Sequence, residues 1–125
     1  MPRLKPIDRV RKICLALPQA TEKRAWGEPT FRTGAAGKMF VMFANNHHSD
    51  GRVAIWCKAG PGTQDLLVRA DPKRFFVPPY MGPSGWVGVR LEDGIADWSE
   101  IAEIVEEAYR ITAPKPLLAL LDART

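Results

Sequence analysis

Residues 43–58 read FANNHHSDGRVAIWCK, and this stretch decides the predicted fold. Its two ends belong to runs of aromatic, β-branched and other apolar residues, KMFVMFA at 38–44 and RVAIWCK at 52–58. Such runs are typical of strands, and the polar loop between them ends in Asp50-Gly51, a pair that favours a turn. We therefore predict an antiparallel hairpin with a long polar tip that carries both histidines of the chain.

The second strand of this hairpin also predicts how its side chains divide between the two faces. Because successive side chains in a strand point to opposite sides, Val53, Ile55 and Cys57 share one face. Arg52 and Lys58 are then expected to project together from the other face.

Helical periodicity precedes the hairpin. In residues 7–17 the apolar residues recur at helical spacing, which predicts an amphipathic helix with a largely basic outer face, ended by Pro18. Residues 18–30 (PQATEKRAWGEPT) are rich in breakers and polar residues, so we predict a long irregular loop.

The chain after the hairpin predicts further elements. They are a short helix from 64 to about 69 with Thr63 as its N-cap, a proline-rich extended segment, a strand at 86–91, a helix at 98–112 with Asp97 as its N-cap, and a short final helix. The 125 residues match the usual size of one domain. The predicted fold class is therefore α+β, a single compact domain spanning residues 1–125, with an antiparallel sheet backed by an N-terminal helix and C-terminal helices.

The composition is typical of a globular protein, with 46% hydrophobic and 26% charged residues. No apolar run approaches the roughly 18 residues that a membrane span needs. The first residues lack the apolar core of a signal peptide, so we expect a cytoplasmic protein.

Residues that commonly bind metal ions are few. Cys14 and Cys57 lie among apolar neighbours and form no CxxC motif, so we expect two core thiols and no disulfide or zinc site. His47 and His48 are adjacent, and in a strand they would point apart; with Asp50 they are more typical of a solvated turn. We predict no metal site and no cofactor.

Motifs of known catalytic chemistry are absent from the sequence. There is no nucleophile elbow, P-loop or dinucleotide-binding glycine motif. We predict no catalytic residue and favour a non-catalytic role, while enzyme activity stays open.

Charge is divided unevenly along the chain. Residues 1–90 hold 15 Lys and Arg against 6 Asp and Glu, and residues 91–125 hold 3 against 8. A basic surface favours nucleic acid because Lys and Arg contact phosphates, although a pI near 9.3 also fits a solvated basic surface. The residues expected to contact phosphates are Arg9, Lys12, Lys23, Arg24, Lys38, Arg52, Lys58 and Arg90.

A small-molecule site is the first alternative, because aromatic residues concentrate in turn-rich segments. The pocket would lie between the 22–31 loop and the 78–86 segment. Its expected lining residues are Glu22, Trp26, Glu28, Phe31, Tyr80 and Trp86.

A protein-interaction surface is the second alternative. The polar face of the helix at 98–112 is acidic, and Glu103 and Glu107 would then bind a basic protein partner.

The order of these landmarks resembles the MmcQ/YjbR family of small bacterial proteins, from about residue 7 to residue 115. The most specific matches are Leu-Pro at 17–18, GKMF at 37–40, Lys58 after the apolar strand, and Gly-Trp at 85–86. The resemblance implies an antiparallel sheet backed by helices, similar to a double-wing DNA-binding architecture and, in layout, to frataxin-like proteins.

The resemblance also implies DNA as a partner, and it marks Lys38, Lys58 and Trp86 without assigning their roles. We therefore predict a DNA-binding protein, monomeric or homodimeric, that docks on phosphates through its sheet and hairpin. The tip at 45–50 would act as a wing.

Overall fold

The structure is a computed structural model that describes residues 4–124, without the side chain of His48. The helices in these residues are α1 (Pro6–Leu15), α2 (Thr63–Ala70), α3 (Trp98–Thr112) and α4 (Lys115–Asp122). The strands are β1 (Thr21–Ala25), β2 (Glu28–Arg32), β3 (Met39–Asn45), β4 (Val53–Cys57), β5 (Phe75–Phe76) and β6 (Val87–Arg90).

The strands form one antiparallel sheet in the order β1-β2-β3-β4-β6-β5. One face of the sheet packs against α1, α3 and α4 and holds the larger apolar core. We call this the helix face and the opposite side the open face. The predicted α+β fold, an antiparallel sheet backed by N-terminal and C-terminal helices, is confirmed.

The predicted hairpin is formed by β3 and β4, which pair from Val41–Cys57 to Asn45–Val53. Its tip is a compact turn rather than a projecting loop. The side chain of Asn46 accepts a hydrogen bond from the Gly51 N–H at 2.7 Å, and residues 47–49 form a single 3₁₀ turn. The tip is therefore held close to the strand ends.

The prediction of an irregular loop at 18–30 is wrong, because β1 and β2 form a hairpin there. Trp26 and Gly27 make its two-residue turn, both with positive φ, 54° and 78°. The middle of β1 is exposed because it is the edge strand, and an edge strand with polar residues shows no apolar alternation for sequence reasoning to detect.

Hydrogen bonds fix helix α3 at its N-terminus and near its C-terminus. Asp97 accepts a hydrogen bond from the Glu100 N–H at 3.2 Å, so the predicted N-cap is confirmed. The hydroxyl of buried Tyr109 donates to the Pro18 carbonyl at 2.7 Å, which ties α3 to the turn after α1. The N-cap predicted for α2 is wrong, because Gly62 occupies that position with φ 80° and Thr63 is the first helical residue.

The helices of the described residues are all too short or too polar to cross a membrane.

Candidate functional site

The open face carries a second apolar cluster, separate from the core on the helix face. Its buried members come from β3, β4, β5 and the residue just before β6: Met42, Ala44, Ala54, Trp56, Phe76 and Trp86. The chain between β5 and β6 folds onto this side of the sheet and adds Met81. The segment between β5 and β6 therefore covers only part of this apolar face.

A cleft of about 340 Å³ opens on this cluster. We call it the Trp–Met cleft, and its lining residues are Trp26, Met39, Met42, His47, Trp56, Tyr80 and Met81. They include three of the four methionines in the chain. An apolar cleft with a few polar groups is the usual form of a small-molecule site.

The two methionines of β3 reach the same side because the strand is irregular. Phe31 pairs with Val41 but Arg32 pairs with Met39, so Phe40 is an extra residue in β3. Phe40 and Val41 both enter the core on the helix face, and Met39 and Met42 both remain on the open face. Strict alternation would have separated them, so sequence reasoning missed this pair.

Two aromatic rings stand exposed at the rim of the cleft. Trp26 is 67% exposed in the β1–β2 turn, and Tyr80 is 78% exposed in the segment between β5 and β6. Both have left-handed backbone, with φ of 54° and 64°, a conformation that costs an ordinary residue about 1–2 kcal/mol. The backbone strain and the exposure of the two rings thus coincide at the rim of one cleft.

The wall of the cleft near the hairpin tip is polar. The His47 ring meets the Trp56 ring at 86° with centroids 5.3 Å apart. Its Nδ1 lies 3.6 Å from Oε2 of Glu28, and the same oxygen accepts a hydrogen bond from the Asn45 N–H at 2.8 Å. The side chains of His47 and Glu28 are each only 13% exposed, so the two polar groups lie close together and largely buried beside the cleft.

Two buried nitrogen atoms on the open face lack a hydrogen-bond acceptor among the described residues. They are Nε1 of Trp56 in the cleft and Nε of Arg32, which lies opposite Met39 in the strand register. Buried donors are almost always paired in folded proteins, so each of these two needs an explanation.

The residues predicted to line a pocket divide between the two faces. Trp26 and Tyr80 line the cleft, and Trp86 lies in the apolar cluster beside it. Phe31 and Glu22 do not contribute, because they pair with each other in the register and both face the helices. Phe31 is fully buried in that core, and Glu22 binds Arg11 of α1 at 2.8 Å.

The predicted phosphate-binding residues are also distributed over both sides of the sheet. Arg9 lies on α1 against the Trp98 ring of α3, 4.9 Å from its centroid, and Lys12 lies beside it. Lys23 and Arg24 are exposed on the edge strand β1. Lys38 is exposed just before β3.

The basic residues of the hairpin do not project together as predicted. Arg52 lies over the Phe76 ring, 4.0 Å from its centroid, whereas Lys58 follows the other end of β4 among residues of α2 and α3. The prediction failed because the strand ends at Cys57, so alternation no longer fixes the direction of Lys58. Arg90 forms an ion pair with Glu92. The hydrogen bond that its guanidinium donates to this carboxylate raises the pKa of Arg90.

Metal-binding residue types do not gather in residues 4–124. No group of three His, Cys, Asp or Glu side chains there is placed to hold a metal ion, and the His48 side chain lies outside the described part.

The geometry defines a small α+β protein with a candidate ligand site on the open face of an antiparallel sheet. Residues 15–111 match the YjbR family, and the chain belongs to that family, as the resemblance indicated. The crystal structure of Deinococcus radiodurans protein DR2400, a DUF419 domain, has the same fold with a TM-score of 0.71. The two chains are 21% identical, and the match covers 86% of this chain and 80% of that one. No curated protein matches the sequence.

Proposed function

We propose that this YjbR-family protein is a binding protein for a small molecule with a flat, mostly apolar ring, which the Trp–Met cleft holds. The observation that carries the proposal is the position of Trp26 and Tyr80. Both large rings are exposed at the rim of one apolar cleft, although most of the chain's other large apolar side chains are buried.

The chemistry of the lining residues supports a flat ring. Aromatic side chains stack on planar ligands with little loss of conformational freedom, and methionine side chains adapt to irregular shapes. A volume of about 340 Å³ lies at the lower end of the range for small-molecule sites. A ligand of two or three fused rings is therefore the expected size.

A thermal-shift screen with naphthalene and quinoline derivatives tests the proposal. We expect the melting temperature to rise in proportion to the logarithm of ligand concentration, because the ligand binds only the folded state. The variants Trp26→Ala and Tyr80→Ala should abolish the shift. The matched control is Leu66→Ala, which removes a side chain that is 68% exposed on α2, away from the cleft. Equal shifts in all variants would contradict the proposal.

Nucleic acid remains a second candidate partner. It is supported by the net charge of +4 and by the exposed side chains of Lys23 and Lys38. Lys23 lies on the edge strand β1 and Lys38 lies just before β3, where both would contact phosphates.

Fluorescence anisotropy with duplex and single-stranded DNA at several salt concentrations tests this candidate. Phosphate contacts predict an affinity that falls linearly with the logarithm of salt concentration. Lys23→Glu combined with Lys38→Glu should reduce that slope, whereas Lys115→Glu at the start of α4 should not. No binding at low salt would exclude DNA as the partner.

A further inference from the structure

We infer that the ligand of the Trp–Met cleft is an anion, a flat ring that carries a carboxylate or phosphate group, and that Arg32 binds this group. The inference rests on the proposed function, because it specifies the chemistry of a ligand in the same cleft.

Arg32 is placed beside the cleft by the sheet. It is the last residue of β2, and it alternates with Phe31, which faces the helices, so Arg32 lies on the open face. Its partner in the register is Met39, which lines the cleft. Side chains directly opposite each other in an antiparallel pair have Cβ atoms about 5 Å apart, so Arg32 neighbours Met39. Arg32 is not itself one of the lining residues, and its long side chain would reach the ligand past Met39.

Arg32 differs from the other described arginines in having no partner. Each of the others has a hydrogen bond, an ion pair or an aromatic ring: Arg9, Arg11, Arg24, Arg52, Arg69, Arg74, Arg90, Arg110 and Arg124. Arg32 has none of these among the described residues, and its Nε atom is buried. A partly buried guanidinium without an anion is unfavourable, because the charge loses water and gains nothing in return.

No described carboxylate makes an ion pair with Arg32. Glu28, the acid on the same strand and face, accepts a hydrogen bond from the Asn45 N–H and faces His47. The planar fork of an arginine matches a carboxylate or a phosphate, which accepts two parallel hydrogen bonds. Trp56 Nε1 adds a second unpartnered donor on this face, consistent with a ligand that carries acceptors.

A matched set of ligands tests the inference by isothermal titration calorimetry. The set is 2-naphthoate, 2-naphthyl phosphate and uncharged 2-naphthalenemethanol, which share one ring and differ in charge. We expect at least one anion to bind about tenfold more tightly than the alcohol, since hydrogen bonds to charged groups are stronger than neutral ones. Comparing the two anions distinguishes a carboxylate site from a phosphate site.

Arg32→Met should remove the preference for the anions and leave the affinity for the alcohol unchanged. Its melting temperature without ligand should be equal to or above that of the wild type, because an unpaired charge is removed. Arg32→Gln is a second, polar variant, and it should also lose the preference for the anions over the alcohol. The control Arg52→Met removes an arginine that is already paired with Asp50 and should keep the preference.

The outcomes separate the inference from the function on which it rests. Equal affinity for the alcohol and both anions, or a preference that persists in Arg32→Met, would overturn the inference and leave the cleft as a ring-binding site. No saturable binding of any of the three compounds would overturn both.

Discussion

The edge-to-face contact between His47 and Trp56, at 5.3 Å and 86°, joins the tip of the β3–β4 hairpin to the Trp–Met cleft. Sequence reasoning treats His47 as a residue of a solvated turn or wing. The structure instead turns the tip back over the sheet, so that His47 is a wall of the cleft and approaches Glu28. The hairpin tip is thus part of the candidate ligand site.

At position 26, one substitution should stabilise the fold and at the same time remove ligand binding. Trp26→Asn places a residue that tolerates left-handed backbone in a two-residue hairpin turn, so the free energy of unfolding should rise by about 0.5–1 kcal/mol. The same change removes a rim ring and should abolish binding of 2-naphthalenemethanol. Urea denaturation and calorimetry measure the two effects. A variant that is less stable and binds normally would contradict both expectations.

The contact between Phe76 and Gly88 should make this glycine intolerant of a side chain. The Phe76 ring covers Gly88 on the open face, so closely that an added Cβ would overlap the ring. Gly88→Ala should therefore destabilise the protein by about 1–3 kcal/mol, as overpacking does. Combining it with Phe76→Leu should restore part of the loss in urea denaturation. If the double variant instead loses the sum of the two single losses in the free energy of unfolding, the Phe76 ring can move away from the added methyl group.

The sequence predicts the elements that carry apolar periodicity and misses those that do not. The β3–β4 hairpin and α3 follow from alternation and helical spacing, and Asp97 caps α3 as predicted. Strand β1 was missed because its middle residues are polar and exposed, which is typical of an irregular segment as well as of an edge strand.

The candidate site could be predicted only in part. The concentration of aromatic residues indicated Trp26 and Tyr80. The methionines of β3 could not be predicted, since their shared face depends on the extra residue Phe40. Arg32 could not be predicted either, because its lack of a partner among residues 4–124 is a property of the packed structure.

The two buried thiols should make the protein less stable in alkaline solution. Burial raises the pKa of Cys14 and of Cys57 above the ordinary value of 9.0. Below pH 9 both states keep these protons, and above it only the unfolded state loses them. Stability should therefore fall as the pH rises, by about 1.4 kcal/mol per pH unit for each thiol.

The double variant Cys14→Ala/Cys57→Ala checks this expectation. Its urea midpoint should change less between pH 8 and pH 10 than that of the wild type, whatever its stability at pH 8. An equal change in both proteins would show that other groups, such as tyrosines and lysines, account for the alkaline loss.

The hydrogen bond from Tyr109 to Pro18 should contribute measurably to stability. The hydroxyl and the carbonyl are buried, and Tyr109→Phe leaves the Pro18 carbonyl without a donor. The expected loss is about 1–2 kcal/mol in the free energy of unfolding, measured in urea. A loss below about 0.3 kcal/mol would mean that water replaces the hydroxyl at this position.

The most direct test of the ligand cleft is an NMR titration that follows the indole N–H signals of the tryptophans with 2-naphthoate. The chain has four tryptophans, two of which, Trp26 and Trp56, line the cleft, while Trp98 lies on α3 beside α1. The account predicts saturable shifts of the Trp26 and Trp56 signals and an unchanged Trp98 signal. Shifts confined to Trp98, or none at saturating ligand, would contradict it.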